Sequence, residues 1–283
     1  MADQLFLSIA NRLSEIDEAS LGGESVDAVI PPPIGRVEDI LKLVEDVMLP
    51  NFNQTADYKL RLIEKMYFEV NSCLDAMKLQ IERDDVVRKI ISEIPSIKSR
   101  LWMDAHAILK GDPAARSVHE IMICYPGFLA TMIYRVAHMI FLLNIPYLPR
   151  IMTEIAHSKT GIDIHPGASI GESFCIDHGT GIVIGETSEI GNRVKIYQGV
   201  TIGAKSFSAN SAGQLVRGNK RHPTIGNDCV IYAGATILGG ETIIGEGSVI
   251  GGNVWITGSV PAYSKVYYNE GHTVYKNKKG SPK

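Results

Sequence analysis

From about residue 162 onward, aliphatic residues recur every sixth position. Ile164, Ile170 and Ile176 fall six apart, and after a slip the beat resumes at Ile184, Ile190, Ile196 and Ile202. A longer break follows, then Ile225 and Ile231, then Leu238, Ile244, Ile250 and Ile256. Glycine follows many of them, as in Ile170-Gly171, Ile184-Gly185, Ile190-Gly191 and Ile244-Gly245. This period suits neither a helix nor the alternation of a half-buried strand. It suits a short extended face with one inward aliphatic residue and a sharp corner, where glycine takes backbone angles closed to other residues. Three faces make a triangular coil, and stacked coils pair strand to strand about 4.8 Å apart. The pattern predicts a parallel β-helix built from hexapeptide repeats. A β-sandwich, the competing all-β solution, would alternate at period two with irregular turns.

Residues 1–157 follow a different rule. A weak amphipathic pattern (Leu5, Ile9, Leu13, Ile16) precedes a turn-rich stretch ending at Pro31-Pro32-Pro33. Val37, Ile40, Leu41, Val44 and Val47 then share one helical face, which Pro50 should stop. Leu60, Ile63, Met66, Tyr67, Val70 and Leu74 share a second. Val86, Val87, Ile90, Ile91 and Ile94 share a third, with Pro95 as its expected end. Another long helix is expected from Phe128 to Leu143. Such stripes favour packing into a bundle. The expected organisation is an α-helical scaffold and oligomerisation domain over 1–157, a β-helix over 158–262 with a loop inserted at 204–222, and a tail over 263–283.

Composition narrows the classes. The chain has 283 residues, 45% of them hydrophobic, and a net charge of −3, so it has material for a large core and no global attraction to nucleic acid. Cys73, Cys124, Cys175 and Cys229 lie far apart, so neither a zinc site nor a disulfide framework is expected, and free buried thiols in a reducing cytoplasm are. The N-terminus lacks a basic-then-apolar signal pattern. The most apolar stretch, Met132 to Leu143, is broken by Tyr134, Arg135 and His138, so no membrane span is expected.

Two segments of the solenoid carry chemistry. Asp163-Ile164-His165-Pro166 is followed by Asp177-His178-Gly179-Thr180-Gly181. A histidine beside an aspartate, at a glycine-bounded corner, is placed to be exposed. Its ordinary pKa near 6.5 suits a general base. Asp163 lies slightly less than one coil earlier and is a candidate to orient the imidazole. The second segment is the break in the beat, Ala204 to His222, an arm carrying Lys205, Arg217, Lys220 and Arg221 and no acidic residue. Arginine can grip a carboxylate or phosphate through two parallel hydrogen bonds. A solvated surface loop is the plainer reading of the same charges.

These strings resemble serine O-acetyltransferases of the hexapeptide acyltransferase superfamily. The similar segments are Asp112-Pro113-Ala114, Tyr134-Arg135-Val136-Ala137-His138, the run from Asp177 to Thr187, Gln198 to Gly203, and Arg221 to Gly226, spanning about residues 100–262. The resemblance implies a left-handed solenoid, against the usual right-handed crossover. It implies transfer of acetyl from acetyl-CoA to the hydroxyl of L-serine, for cysteine synthesis, with no metal. By motif, His178 is the base and Asp163 its partner. Asp112 and Asp177 face the acceptor, and Arg221, supported by His222, holds its carboxylate. Gly203, Ala204, Ala233 and Gly234 approach the CoA arm. Sites in this family form between subunits of a homotrimer, and trimers often pair through their helical halves. The family's tail often ends in an isoleucine that docks into cysteine synthase. This chain ends in Lys278-Lys279-Gly280-Ser281-Pro282-Lys283, so the resemblance does not extend to that partnership.

Three rivals remain open at this level. The same solenoid hosts acyltransferases for other acceptors, among them homoserine, which differs by one methylene. It hosts γ-class carbonic anhydrases, which need three histidines around zinc, and His165, His178 and His222 are available. A non-catalytic binding solenoid would need neither the His–Asp pair nor the basic arm.

Overall fold

The computed structural model describes residues 29–50, 55–206 and 218–267, with the isolated positions 8, 9, 12 and 216. The amphipathic pattern before residue 30, most of the inserted arm including Arg217, and nearly all of the tail lie outside the described residues.

Six described helices precede the solenoid: α1 (Ile34–Met48), α2 (Ala56–Ala76), α3 (Arg83–Gly111), α4 (Val118–Cys124), α5 (Pro126–Leu142) and α6 (Leu148–Thr160). Local chemistry sets several of their ends. Thr55 and Ser117 accept hydrogen bonds from the backbone N–H groups of Tyr58 and Glu120, capping α2 and α4. Pro126 and Pro149 sit in the first turns of α5 and α6, where a missing N–H costs nothing. Gly161 closes α6 at φ +70°.

The expected stop at Pro95 is not observed, and α3 runs through it to Gly111. The apolar face begun by Val87, Ile90 and Ile94 continues with Ile97, Leu101, Ala105 and Ile108, all buried. Proline in a helix interior costs roughly 3 kcal/mol. Burying four further apolar side chains offsets that, at about 1.5–3 kcal/mol for each large one. The short helix α4 was not anticipated either. Of the cysteines, Cys73, Cys175 and Cys229 are buried as free thiols, but Cys124, on the outer side of α4, is exposed. Among the described residues no helix is long and apolar enough to cross a membrane.

Among the described residues, fourteen short strands then wind a left-handed parallel β-helix of about five turns. They form three faces: a first sheet of β1 (Asp163–Ile164), β4 (Val183–Ile184), β7 (Thr201–Gly203), β10 (Thr236–Leu238) and β13 (Trp255–Ile256), a second of β2 (Ser169–Ile170), β5 (Glu189–Ile190), β8 (Thr224–Ile225) and β11 (Ile243–Ile244), and a third of β3 (Cys175–Asp177), β6 (Lys195–Tyr197), β9 (Val230–Ile231), β12 (Val249–Ile250) and β14 (Lys265–Val266). The beat residues stack inward as columns. Ile164, Ile184, Ile202, Ile237 and Ile256 lie behind the first sheet, and Ile170, Ile190, Ile225 and Ile244 behind the second. One beat position is corrected: Ile237, not Leu238, pairs with Ile202 and is fully buried. The extra residue is therefore taken up after β10, at Gly239-Gly240. The last helix ends at Thr160, and the last described strand is β14 (Lys265–Val266). The arm leaves between β7 (Thr201–Gly203) and β8 (Thr224–Ile225).

Helix α5 plugs the first coil of the prism. Its Phe128, Met132, Ile133 and Val136 belong to the helical core, while Ala130 and Tyr134 belong to the solenoid core. This double burial explains why the helix is apolar nearly all round. The Tyr134 hydroxyl donates to the Ala168 carbonyl at 2.6 Å. Gly127 meets Ile176 so closely that a Cβ there would lie 2.8 Å from it. A buried ion pair locks the joint. Arg135 Nε and Nη2 donate to Asp104 at 2.6 and 2.8 Å, Asp104 also accepts the Phe174 N–H at 2.9 Å, and Arg135 reaches the Gly171 carbonyl at 2.8 Å.

Candidate active site

The slip in the beat is a physical feature. Asp177 pairs with Tyr197 and Val183 with Thr201, so this coil spends two residues more at its corner than the coil above. The extra pair is His178-Gly179. Gly179, at φ +105°, folds tightly over the core, where a Cβ would sit 2.5 Å from Ile162. His178, at φ +59°, is pushed outward, and its imidazole is 75% exposed. Its Nε2 lies 3.8 Å from Asp177 Oδ1.

Three residues from elsewhere complete this corner, between the third and first sheets. Asp112 follows the last residue of α3. Its carboxylate accepts the Tyr125 hydroxyl at 2.7 Å and the Ala114 N–H at 2.8 Å. The Tyr125 hydrogen bond chiefly holds Asp112 below the usual carboxylate range, the Ala114 N–H helps, and the charges of Lys195 and His178 add to it. The Tyr125 hydroxyl is pushed up to about 12 by the same bond. Lys195, one coil above Cys175, reaches down to Asp177 at 2.8 Å and to the Gly111 carbonyl at 2.7 Å. The helical half thus supplies one of the two carboxylates at this corner.

Asp163 stands apart from this group. It opens β1 on the first sheet, in register with Val183, and pairs with Arg150 at 3.3 Å. The contact expected between Asp163 and His178 is not among those formed, and Asp177 is the carboxylate beside the imidazole. Glu154, His157 and Asp163 place ligand-type atoms within 4.8 Å of one another, but Arg150 already pairs with two of them.

A second cluster occupies the next corner, between the first and second sheets. Thr187 organises it: its hydroxyl accepts the backbone N–H groups of Arg221 and His222 at 2.9 and 3.1 Å. The His222 Nδ1 accepts the Thr187 N–H at 3.0 Å, which leaves the ring proton on Nε2. The His222 ring presses on Gly185, where any Cβ would fall 2.1 Å from it. Arg221, N-terminal to that ring, ion-pairs with Glu186 and is partly exposed. His165 stands at the same corner, its Nδ1 accepting the Gly167 N–H at 3.0 Å. His165 and His222 therefore share one corner while His178 occupies another, and one protomer does not assemble the three as a metal triad.

Burial sets the charge of this second cluster. It pushes His222 down to about 4, with Arg221 adding to the shift, and it also lowers His165 and His138. These folded values lie below the ordinary 6.5 of histidine, so the folded chain takes up protons later than the unfolded one. Their stabilisation is complete above about pH 6.5 and is lost as pH falls toward 4. Thermal melts are expected to show a midpoint falling steadily from pH 7 to pH 4.5, and a His222→Gln variant should show a shallower fall. A flat midpoint over that range would remove this assignment.

The residues expected on the CoA arm divide in the same way. Gly203 ends β7 and Ala204 follows it, at the corner of Arg221. Ala233 and Gly234 lie between β9 (Val230–Ile231) and β10 (Thr236–Leu238), on the edge that carries His178. Gly234 is at φ +70° and faces Asn253, whose Oδ1 would be 2.3 Å from an added Cβ. Just before it, Tyr232 stacks on Tyr197 with centroids 5.1 Å apart and planes 9° apart. The sequence pattern missed Lys195, Tyr125, Glu186 and Thr187. Coil register was the available signal for Lys195 and Tyr197, which sit directly above Cys175 and Asp177. Nothing local marks Tyr125.

No family profile matches the chain. Over 180 residues, 64% of the chain, it is 56% identical to the plasmid serine acetyltransferase of Synechococcus elongatus, and the match spans 56% of that protein's length. Over 176 residues, 62% of the chain, it is 43% identical to the serine acetyltransferase of Bacillus subtilis, spanning 76% of that protein. Among solved structures, serine acetyltransferase 1 of Entamoeba histolytica in complex with L-cysteine aligns with a TM-score of 0.74 at 36% identity, over 92% of this chain and 97% of that one. Soybean serine acetyltransferase complexed with serine aligns at 0.58 and 27% identity, over 93% and 90%. A helical half followed by a parallel β-solenoid agrees with these likenesses, and the chain belongs to the serine acetyltransferase family.

Proposed function

We propose that this chain transfers acetyl from acetyl-CoA to the hydroxyl of L-serine, releasing O-acetyl-L-serine and CoA for cysteine synthesis in the cytoplasm. The observation that carries the reading is an exposed imidazole bulged from the prism beside Asp177 and Asp112. Two acids suit an ammonium, an arginine suits a carboxylate, and an imidazole suits a hydroxyl between them. A free amino acid with a side-chain hydroxyl presents all three groups. A sugar acceptor would leave these charges unmatched.

His178 takes the proton of the serine hydroxyl as its oxygen attacks the thioester carbonyl carbon. The tetrahedral intermediate collapses with breakage of the C–S bond, and the imidazolium returns the proton to the departing CoA sulfur. Asp112 and Asp177 hold the ammonium. Arg221 holds the carboxylate, turned by the buried His222 behind it. Asp163, paired with Arg150 within the protomer, is the proposed partner that orients the His178 imidazole in the assembled site. Binding both substrates in one cleft removes much of the entropic barrier.

The two corners lie one sheet face apart, with β4 between them in the coil that carries His178, and a single amino acid is to meet both His178 and Arg221. A homotrimer resolves this by setting the His178 corner of one subunit against the Arg221 corner of the next. The same arrangement joins Gly203 and Ala204 to Ala233 and Gly234 along one CoA groove, and leaves the helical halves free to pair two trimers.

The test is thiol release from acetyl-CoA with a panel of acceptors. Release should require L-serine, and equal rates with homoserine or sugars would defeat the assignment. Arg221→Ala should raise the serine KM about tenfold to hundredfold, the worth of a charged hydrogen bond, and leave the acetyl-CoA KM within about twofold. Light scattering should return three or six times the 30.9 kDa of the chain, and a monomer would exclude the shared site.

A further inference from the structure

Lys195 lies outside the motifs that mark the site, yet it bridges the Asp177 carboxylate and the backbone carbonyl of Gly111, the residue before Asp112. Its stem rises on β6 (Lys195–Tyr197), one coil above Cys175. The ammonium sits 2.8 Å from Asp177 Oδ2 and donates to the Gly111 carbonyl at 2.7 Å. It also lies 4.6 Å from the centroid of the Tyr197 ring, which is backed by the stacked ring of Tyr232. The side chain is only 16% exposed. An exposed surface pair would contribute little. A largely buried ammonium with two oxygen acceptors and an aromatic face is held in one place.

Two consequences follow from these contacts. Lys195 occupies Oδ2 of Asp177, which leaves Oδ1 turned toward His178 at 3.8 Å. It also ties the residue before Asp112 to the solenoid, although Asp112 arrives on a helix of the other half. The charges of Asp112, Asp177 and Lys195 together leave one net negative charge, which matches a single ammonium. Without Lys195 the corner would hold two uncompensated carboxylates that repel each other.

We propose that Lys195 is a positioning residue for the amino-acid acceptor: it sets the orientation of Asp177 and the distance of Asp112 so that both receive one ammonium group beside His178. The proposal rests on the serine acetyltransferase reading of the site and adds to it a residue whose effect is confined to the acceptor side.

The experiment is steady-state kinetics on the full chain and on Lys195→Gln and Lys195→Arg, with L-serine and acetyl-CoA varied separately and thermal midpoints recorded. Lys195→Gln keeps a donor and loses the charge. It should lower kcat/KM for L-serine about tenfold or more, as small misplacements at a reacting centre do, with the acetyl-CoA KM within about twofold. Lys195→Arg should recover most of that loss. A purely structural tether would instead lower the midpoint and affect both substrates together. Unchanged kcat/KM for serine in Lys195→Gln, or a loss expressed equally in the acetyl-CoA KM, overturns the proposal. If Lys195→Gln does not fold, Tyr197→Leu removes the ring under the ammonium; the same serine-selective loss is then required, and unchanged serine kinetics overturn the proposal. A parent chain that releases no CoA with serine ends the functional reading, and this proposal with it; a parent that turns over beside an unaffected Lys195→Gln ends only the role of Lys195.

Discussion

His178→Ala is expected to lower kcat by about two to four orders of magnitude, the usual contribution of a positioned acid–base group. The fold should not notice. The imidazole is 75% exposed, and the only ion pair it forms among the described residues is with Asp177 at 3.8 Å, so its removal opens no cavity and strands no buried partner. Alanine meets the same positive φ as histidine, and His178→Asn, which tolerates that conformation better, serves as a second variant. Thermal midpoint, oligomer mass and acetyl-CoA KM should match the parent in both. Full turnover in either variant would take the general base away from His178. Lost turnover together with a lost oligomer would assign the residue to assembly instead.

Asp104→Ala should be the most damaging single change to stability. It leaves the Arg135 guanidinium buried without its counter-charge and orphans the Phe174 N–H. Breaking a buried pair from one side costs about 3–5 kcal/mol. For a chain of this size that corresponds to a midpoint lower by roughly 6–20 °C. Activity should fall with it, because Asp112 directly follows α3 and any slackening of the joint moves that carboxylate relative to Asp177. The double change Asp104→Leu with Arg135→Met tests the cause, since replacing both charges removes the unpaired ion. It should recover a good part of the midpoint. A single variant that melts with the parent would show that the joint is held by the apolar contacts of Phe128, Ala130 and Tyr134 alone.

Much of the site was legible along the chain because the repeat is local. In a hexapeptide coil each residue's direction depends on its position in the period, so a departure from the period marks a place where the backbone leaves the wall. Ile176 and Ile184 are eight apart instead of six, and the two added residues are His178 and Gly179. The arm that ends at Arg221 and His222 was marked in the same way. Leu238 misled because Ile237 and Leu238 are adjacent and equally apolar, and only pairing with Ile202 distinguishes them. Pro95 misled because a local stop rule cannot weigh the four buried residues that lie beyond it.

The chain alone determined the two halves, the triangular coil, the inward isoleucine columns and the outward imidazole, each a matter of short-range periodicity and glycine-permitted turns. Tertiary structure decided which carboxylates stand beside that imidazole. Asp112 and Tyr125 come from the helical half, Lys195 comes from the next coil, and Asp163 is drawn to Arg150 instead. It also put His178 and Arg221 on separate corners. These outcomes depend on how α3 and α5 dock on the first coil and on the stacking register. Both are set by the summed burial of many side chains, which no local stretch of the chain records.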